Sequence, residues 1–169
     1  MRIRAALLVV MCTFGVNAYA STEPLVTEAV VNAPVDRVWD AFTTKAGMES
    51  WMTARADVDL TVGGRWRTSY QKDADLDGDT AIHQTILSLD PGRMLSFRTV
   101  KSPKNFPFAA TIGQTWTVVY FDPVDAGRTK VTIRMNGYSD TPEAQKMRAF
   151  FEAGNKATLH ALVKRFAGR

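Results

Sequence analysis

The chain has 169 residues, 46 % of them hydrophobic, with 21 Lys and Arg against 17 Asp and Glu and one cysteine. That length suits one domain. The small formal net charge of +4 argues against nucleic acid as a partner, and the lone Cys12 excludes a disulfide framework or a thiolate-ligated metal.

Arg2 and Arg4 open the chain, Ala5 to Val16 is apolar, and Ala18-Tyr19-Ala20 is a small-x-small site. This pattern predicts a secretory signal peptide over 1–20 and one domain over 21–169, in the periplasm or outside the cell. The apolar run falls short of the roughly 20 residues a bilayer span needs, although an uncleaved anchor stays an alternative. Cleavage would remove Cys12 and, with Arg2 and Arg4, half of the formal charge of +4. A chain of this size needs no disulfide, because ~70 % of its unfolded surface can be buried on folding.

Leu25 to Asn32 reads as a strand. Pro34 presets φ for a helix, with Asp36 in the first turn and Val35, Val38, Trp39 and Phe42 on one side. A second short helix covers Lys45 to Met52. Strands are expected over Ala56 to Leu60 and Arg65 to Tyr70, around a Gly63-Gly64 turn. Four more follow: Ile82 to Leu89, Met94 to Val100, Gln114 to Phe121 and Thr129 to Asn136. Asp140, Pro142 and Glu143 signal the start of a last helix, about six turns long. The order implies an α+β fold in which a curved antiparallel sheet of about seven strands wraps one long C-terminal helix.

Alternation assigns an inner set: Trp66, Thr68, Tyr70; Thr85, Leu87, Leu89; Leu95, Phe97, Thr99; Thr117, Val119, Phe121; Val131, Ile133, Met135. Opposite them the last helix offers Met147, Phe150 and Phe151, then the small Gly154, Ala157, Thr158 and Ala161. A mid-helix glycine costs about 1 kcal/mol against alanine. Gly154 therefore either leaves volume for a ligand or lets the helix approach the sheet closely. An apolar lining with scattered hydroxyls fits a small-molecule pocket; the threonines also suit strands by propensity alone. Tyr70, as a buried phenol, would need a partner. The loop from Lys101 to Phe108 carries Phe106 and Phe108, either a lid over the pocket mouth or a satellite cluster on the surface.

Asp73, Asp75, Asp77 and Asp79 alternate around Gly78 like the front of a calcium loop, but the twelfth position is Gln84 and the flanks read as strands. The alternative is an acidic hairpin tip. His83 and His160 have no zinc spacing, and no nucleophile elbow, phosphate loop or dinucleotide fingerprint occurs. No catalytic residue or cofactor is assigned. Trp116, Val118 and Tyr120 point to the outer face, beside Arg98 and Arg134. That patch is either covered by arginine stems or a homodimer surface.

Ala33-Pro34, Val38-Trp39, Ala41-Phe42-Thr43, Gly63-Gly64-Arg65, Leu89-Asp90-Pro91 and Glu152-x-Gly154 together resemble the SRPBCC superfamily of START and birch-pollen-allergen-like helix-grip folds. The nearest branch is similar to homologues of the activator of heat-shock ATPase. The resemblance implies a ligand cavity between sheet and long helix, two short helices after the first strand, and no shared catalytic set. It covers about Pro24 to Gly168. Asn155 stands where the family often has Trp, and the loop ending at Phe108 is longer than usual. The leader separates this chain from a cytosolic co-chaperone role.

The expectation is an exported, non-enzymatic binder of a small apolar molecule. Its ligand-facing residues would be Trp66, Thr68, Tyr70, Leu87, Phe97, Thr99, Phe106, Phe108, Thr117, Val119, Met135, Phe151, Gly154 and Thr158. The alternatives are a cyclase or hydratase using the same cavity and an interaction module without ligand.

Overall fold

The computed structural model describes residues 23–168; the expected signal peptide at 1–20, with Cys12, lies outside them. Strand β1 (Leu25–Val31) leads into helices α1 (Val35–Thr43) and α2 (Lys45–Glu49). Strands β2 (Arg55–Val58), β3 (Arg65–Ser69), β4 (Ile82–Asp90), β5 (Met94–Lys101), β6 (Trp116–Asp125) and β7 (Arg128–Asn136) follow, then helix α3 (Pro142–Phe166). A 3-10 turn at Ile112–Gln114 precedes β6. The strands form one antiparallel sheet in the order β1-β7-β6-β5-β4-β3-β2. This is the helix-grip fold.

The local signals act as their chemistry requires. Pro34 caps α1, and Val38, Trp39 and Phe42 are buried against the sheet. Trp39 and Phe42 both meet Phe121 of β6 edge to face, with centroids 5.3 and 5.2 Å apart. The Trp51 indole donates to the Ala41 carbonyl at 2.9 Å and fixes α2 on α1. At Gly64 a Cβ would stand 2.2 Å from the Asp59 carbonyl, so only glycine fits that turn. The N-cap of α3 is Thr141, not Asp140: its hydroxyl accepts from the Ala144 amide at 3.3 Å. Glu143 is diverted from the cap because it accepts from the Thr111 hydroxyl at 2.9 Å.

Pairing carries one row of inner side chains across most of the sheet: Leu25, Met135, Thr117, Phe97 and Ile86. Ile86 stands here where alternation expected Leu87. The register of β4 against β5 breaks between Ile86 and Ser88, which leaves Leu87 as an unpaired bulge residue. Before the bulge the inner side chains are Ile82, Gln84 and Ile86, and Thr85 is on the other face. After it Leu89 returns to the inside, opposite Leu95. A bulge shifts the alternation by one residue without any hydrophobic signal of its own.

Two apolar clusters hold the domain. The larger joins α1 and the sheet to Leu159 and Leu162 of α3. The smaller gathers Leu25, Ile112, Met135, Tyr138 and Met147, with Phe106, Phe108 and Phe151 against it. Helix α3 is thus buried at both ends, and its middle turns belong to neither cluster.

Candidate functional site

Those middle turns roof a cavity of about 640 Å³. Its floor is the concave face of the sheet. Its side walls come from Phe42, Trp51, Met52 and Thr53 around α1 and α2, and from the loop after β5. A Cβ built on Gly154 would meet nothing within 4 Å. Gly154 therefore borders open space, and close helix–sheet approach does not explain it.

The structure brings Trp66, Thr68, Phe97, Thr99, Phe106, Thr117, Val119, Met135, Phe151, Gly154 and Thr158 around this one space. Tyr70 also borders it, but is 73 % exposed. Strand β3 ends at Ser69, and the buried place goes to Ser69, which is 0 % exposed. Tyr70 is therefore no buried phenol. Leu87 is displaced by the bulge and does not line the cavity. Neither does Phe108, which packs in the smaller cluster instead.

The loop after β5 is tied to α3 by rings. Phe106 lies 5.8 Å from both Phe108 and Phe150, and Phe108 lies 5.6 Å from Phe150. Asn105 takes φ of 65°, a left-handed turn that asparagine tolerates, and the Lys104 amide donates to the Asp79 carbonyl at 2.8 Å. Phe106 faces the cavity while Phe108 supports it, so the loop combines the two arrangements expected for it.

Reading of the sequence missed Phe42, Trp51, Met52 and Gln84 as lining residues. Phe42 had a signal, apolar spacing on α1, that equally serves the core, whereas Trp51 and Met52 lie just past the end of α2 at Glu49. Gln84 was hidden by the phase error in β4. Among the described residues lining the cavity there is no Asp, Glu, His, Lys or Arg. Two lining residues hold buried donors without a hydrogen-bond partner, Trp66 at Nε1 and Asn155 at Nδ2.

The acidic loop 73–79 is organised by cations of the protein itself. Arg67 pairs with Asp57 and, at 2.8 Å, with Asp77. The Lys101 ammonium donates to the carbonyls of Asp77 and Gly78 at 2.7 and 2.9 Å, and the His83 ring meets the Leu76 carbonyl at 2.6 Å. The Arg67 hydrogen bond holds the Asp77 carboxyl below the usual range, and the Asp57 and Asp77 hydrogen bonds raise Arg67 further. Among the described residues no three His, Cys, Asp or Glu converge as a metal site. The loop joins β3 to β4, and Arg67, Lys101 and His83 hold its Asp77, Gly78 and Leu76.

Trp116 and Tyr120 are each 38 % exposed, with Val118 between them, and Trp116 also borders the cavity. Arg98 and Arg134 do not stack on them. The cation–π contacts among the described residues are Arg148 over Tyr138 and Arg165 over Phe166.

Residues 32–167 match the family model described as Activator of Hsp90 ATPase homolog 1-like protein. The fold is also that of several solved structures. An X-ray structure of a Mesorhizobium loti protein shares 20 % identity at a TM-score of 0.65, over 84 % of this chain and 95 % of that one. The solution structure of the Aha1 dimer from Colwellia psychrerythraea shares 14 % at 0.67, over 86 % and 96 %. The AHSA1-like protein from Aeromonas hydrophila shares 20 % at 0.59, over 84 % and 90 %. No curated protein sequence matches the chain. No helix among the described residues is long and apolar enough to cross a membrane.

Proposed function

The chain belongs to the Activator of Hsp90 ATPase homolog 1-like family, whose fold is that of a ligand-binding or interaction module, and from this premise we propose that it is an exported carrier of a small hydrophobic molecule. The observation that carries the reading is the cavity of about 640 Å³, apolar over most of its wall and, among the described residues, free of charged side chains. Its volume is that of a small-molecule site, and few polar groups on an apolar wall are what such sites use to orient a ligand. Burial of ligand surface at ~25 cal/mol per Å² supplies the driving force. Thr68, Thr99, Thr117 and Thr158 supply hydroxyls at the wall.

A cyclase or hydratase needs an acid or base placed at the substrate and tuned by its surroundings. Among the described residues of the lining only the exposed Tyr70 could serve that task, which favours carriage over chemistry. Export follows from the first twenty residues. It separates this chain from a cytosolic co-chaperone partner. Native mass spectrometry of protein purified from its source tests the carrier. A co-purified apolar molecule released by organic solvent is expected; an empty protein that also refuses neutral apolar probes overturns the reading.

The exposed Trp116 and Tyr120 favour a second reading, self-association through that patch. A family relative from Colwellia psychrerythraea is a dimer in solution. Sedimentation equilibrium of the wild type and of a Trp116→Ala, Tyr120→Ala double variant tests it. Association lost in the variant supports the interface, and unchanged behaviour removes it.

A further inference from the structure

We propose that the ligand is built on a rigid aromatic ring system and not on a flexible alkyl chain, with Trp51, Phe97, Phe106 and Phe151 the rings that select it. The inference rests on the cavity being a ligand site and names the class of ligand.

The wall differs from the core in what fills it. Nine of the residues that border the cavity are aromatic, close to a third of its wall, in a chain that is 10 % aromatic. Among the described residues no leucine borders it, whereas Leu95, Leu159 and Leu162 are buried in the larger apolar cluster. Burial of apolar surface is indifferent to this choice, because the gain follows area whether a ring or a chain supplies it. Rings add a quadrupole and a flat shape. Ring pairs favour edge-to-face or offset contact and gain beyond the area they bury.

The rings also come from more than one side. On the floor Phe97 meets Trp66 with centroids 4.7 Å apart and planes at 71°. At the side wall Trp51 meets Phe42 at 5.1 Å and 63°. At the loop and the roof Phe106, Phe150 and Phe151 pack on one another with centroids 5.3 to 6.3 Å apart, Phe150 and Phe151 at 90°. Phe42 and Trp66 are each 3 % exposed and serve as backing. Trp51, Phe97, Phe106 and Phe151 border the same space and are only half-buried, so surface remains on them for a ligand to cover. A ligand ring extends these edge-to-face groups, and a methylene chain does not. A rigid ring system also gives up less freedom on binding than a flexible chain of equal size.

The test uses delipidated full-length protein and displacement of N-phenyl-1-naphthylamine by 4-biphenylmethanol, its fully hydrogenated analogue and 1-tridecanol. These are three uncharged primary alcohols of equal carbon count, and the hydrogenated analogue keeps the linked rings without their π systems. 4-Biphenylmethanol is expected to displace at about five- to tenfold lower concentration than either of the others. Phe106→Leu and Phe151→Leu stay apolar while removing one ring. Each should raise the 4-biphenylmethanol concentration needed about two- to tenfold and leave the hydrogenated analogue unchanged. The two variants lie on different elements, so either carries the test if the other does not fold. Displacement by the hydrogenated analogue or the straight-chain alcohol at equal or lower concentration overturns the ring preference while the carrier reading stands. Variants that shift both ring compounds alike, or neither, overturn it as well. Failure of the fluorophore to bind wild type overturns both readings.

Discussion

Trp66 of β3 and Phe97 of β5 meet edge to face, with centroids 4.7 Å apart and planes at 71°, reaching across the intervening strand β4. Both rings are part of the cavity floor. Because they tie strands that share no hydrogen bonds, they also hold the curvature that keeps the space open. Trp66→Ala is expected to cost about 3–5 kcal/mol, as removal of a large buried ring does. Denaturant titration measures it. A loss under about 1 kcal/mol would mean that the sheet does not depend on this contact.

Gly154 presents the opposite case, a residue whose removal should help stability. An added methyl meets nothing within 4 Å, so Gly154→Ala gains the helix propensity of about 1 kcal/mol without a clash. Thermal unfolding should rise by about 2–4 °C. A fall would reveal packing that the open space excludes.

Tyr138 gives the alkaline limit of stability. Burial pushes its phenol up to about 12 from the usual 10.0, opposed weakly by the Arg148 charge over the ring. The folded protein therefore keeps a proton that the unfolded chain releases. The stabilisation is complete below pH 10 and declines as pH rises from about 10 to about 12. Ultraviolet titration should show one phenolate step near 12, absent in Tyr138→Phe. A wild-type profile identical to that of Tyr138→Phe contradicts this burial.

The acidic loop between β3 and β4 should ignore calcium. Lys101 already occupies the carbonyls of Asp77 and Gly78, and Arg67 holds the Asp77 carboxylate. Thermal unfolding in about millimolar calcium should match that in chelator, the range in which an extracellular site would act. Stabilisation by calcium would show that Arg67 and Lys101 give way to the ion.

The fold was legible because its signals agree with one another. Pro34, the Gly63-Gly64 turn, the alternation in β3, β5, β6 and β7, and the long spacing of α3 all require the same sheet-on-helix arrangement. The floor residues Trp66, Phe97, Thr117 and Met135 follow from that alternation. Leu87 fails because a bulge is set by pairing geometry, which a single strand does not carry. Tyr70 fails because the strand ends one residue earlier, and an end frays without changing composition. The spacing places Phe42 on the buried side of its helix, and a side chain facing a hollow obeys the same periodicity as one facing a neighbour. The two unpaired donors lay beyond the sequence altogether, since pairing is a property of coordinates.

The central claim is that the space beneath Gly154 holds a small apolar molecule. Titration of N-phenyl-1-naphthylamine into wild type and Gly154→Phe tests it most directly, with circular dichroism to establish that both are folded. The account predicts saturable binding by wild type and at least a tenfold loss in Gly154→Phe, about 1.4 kcal/mol, because the new ring fills the roof of the cavity. Equal binding by two folded proteins, or none by wild type, would contradict it.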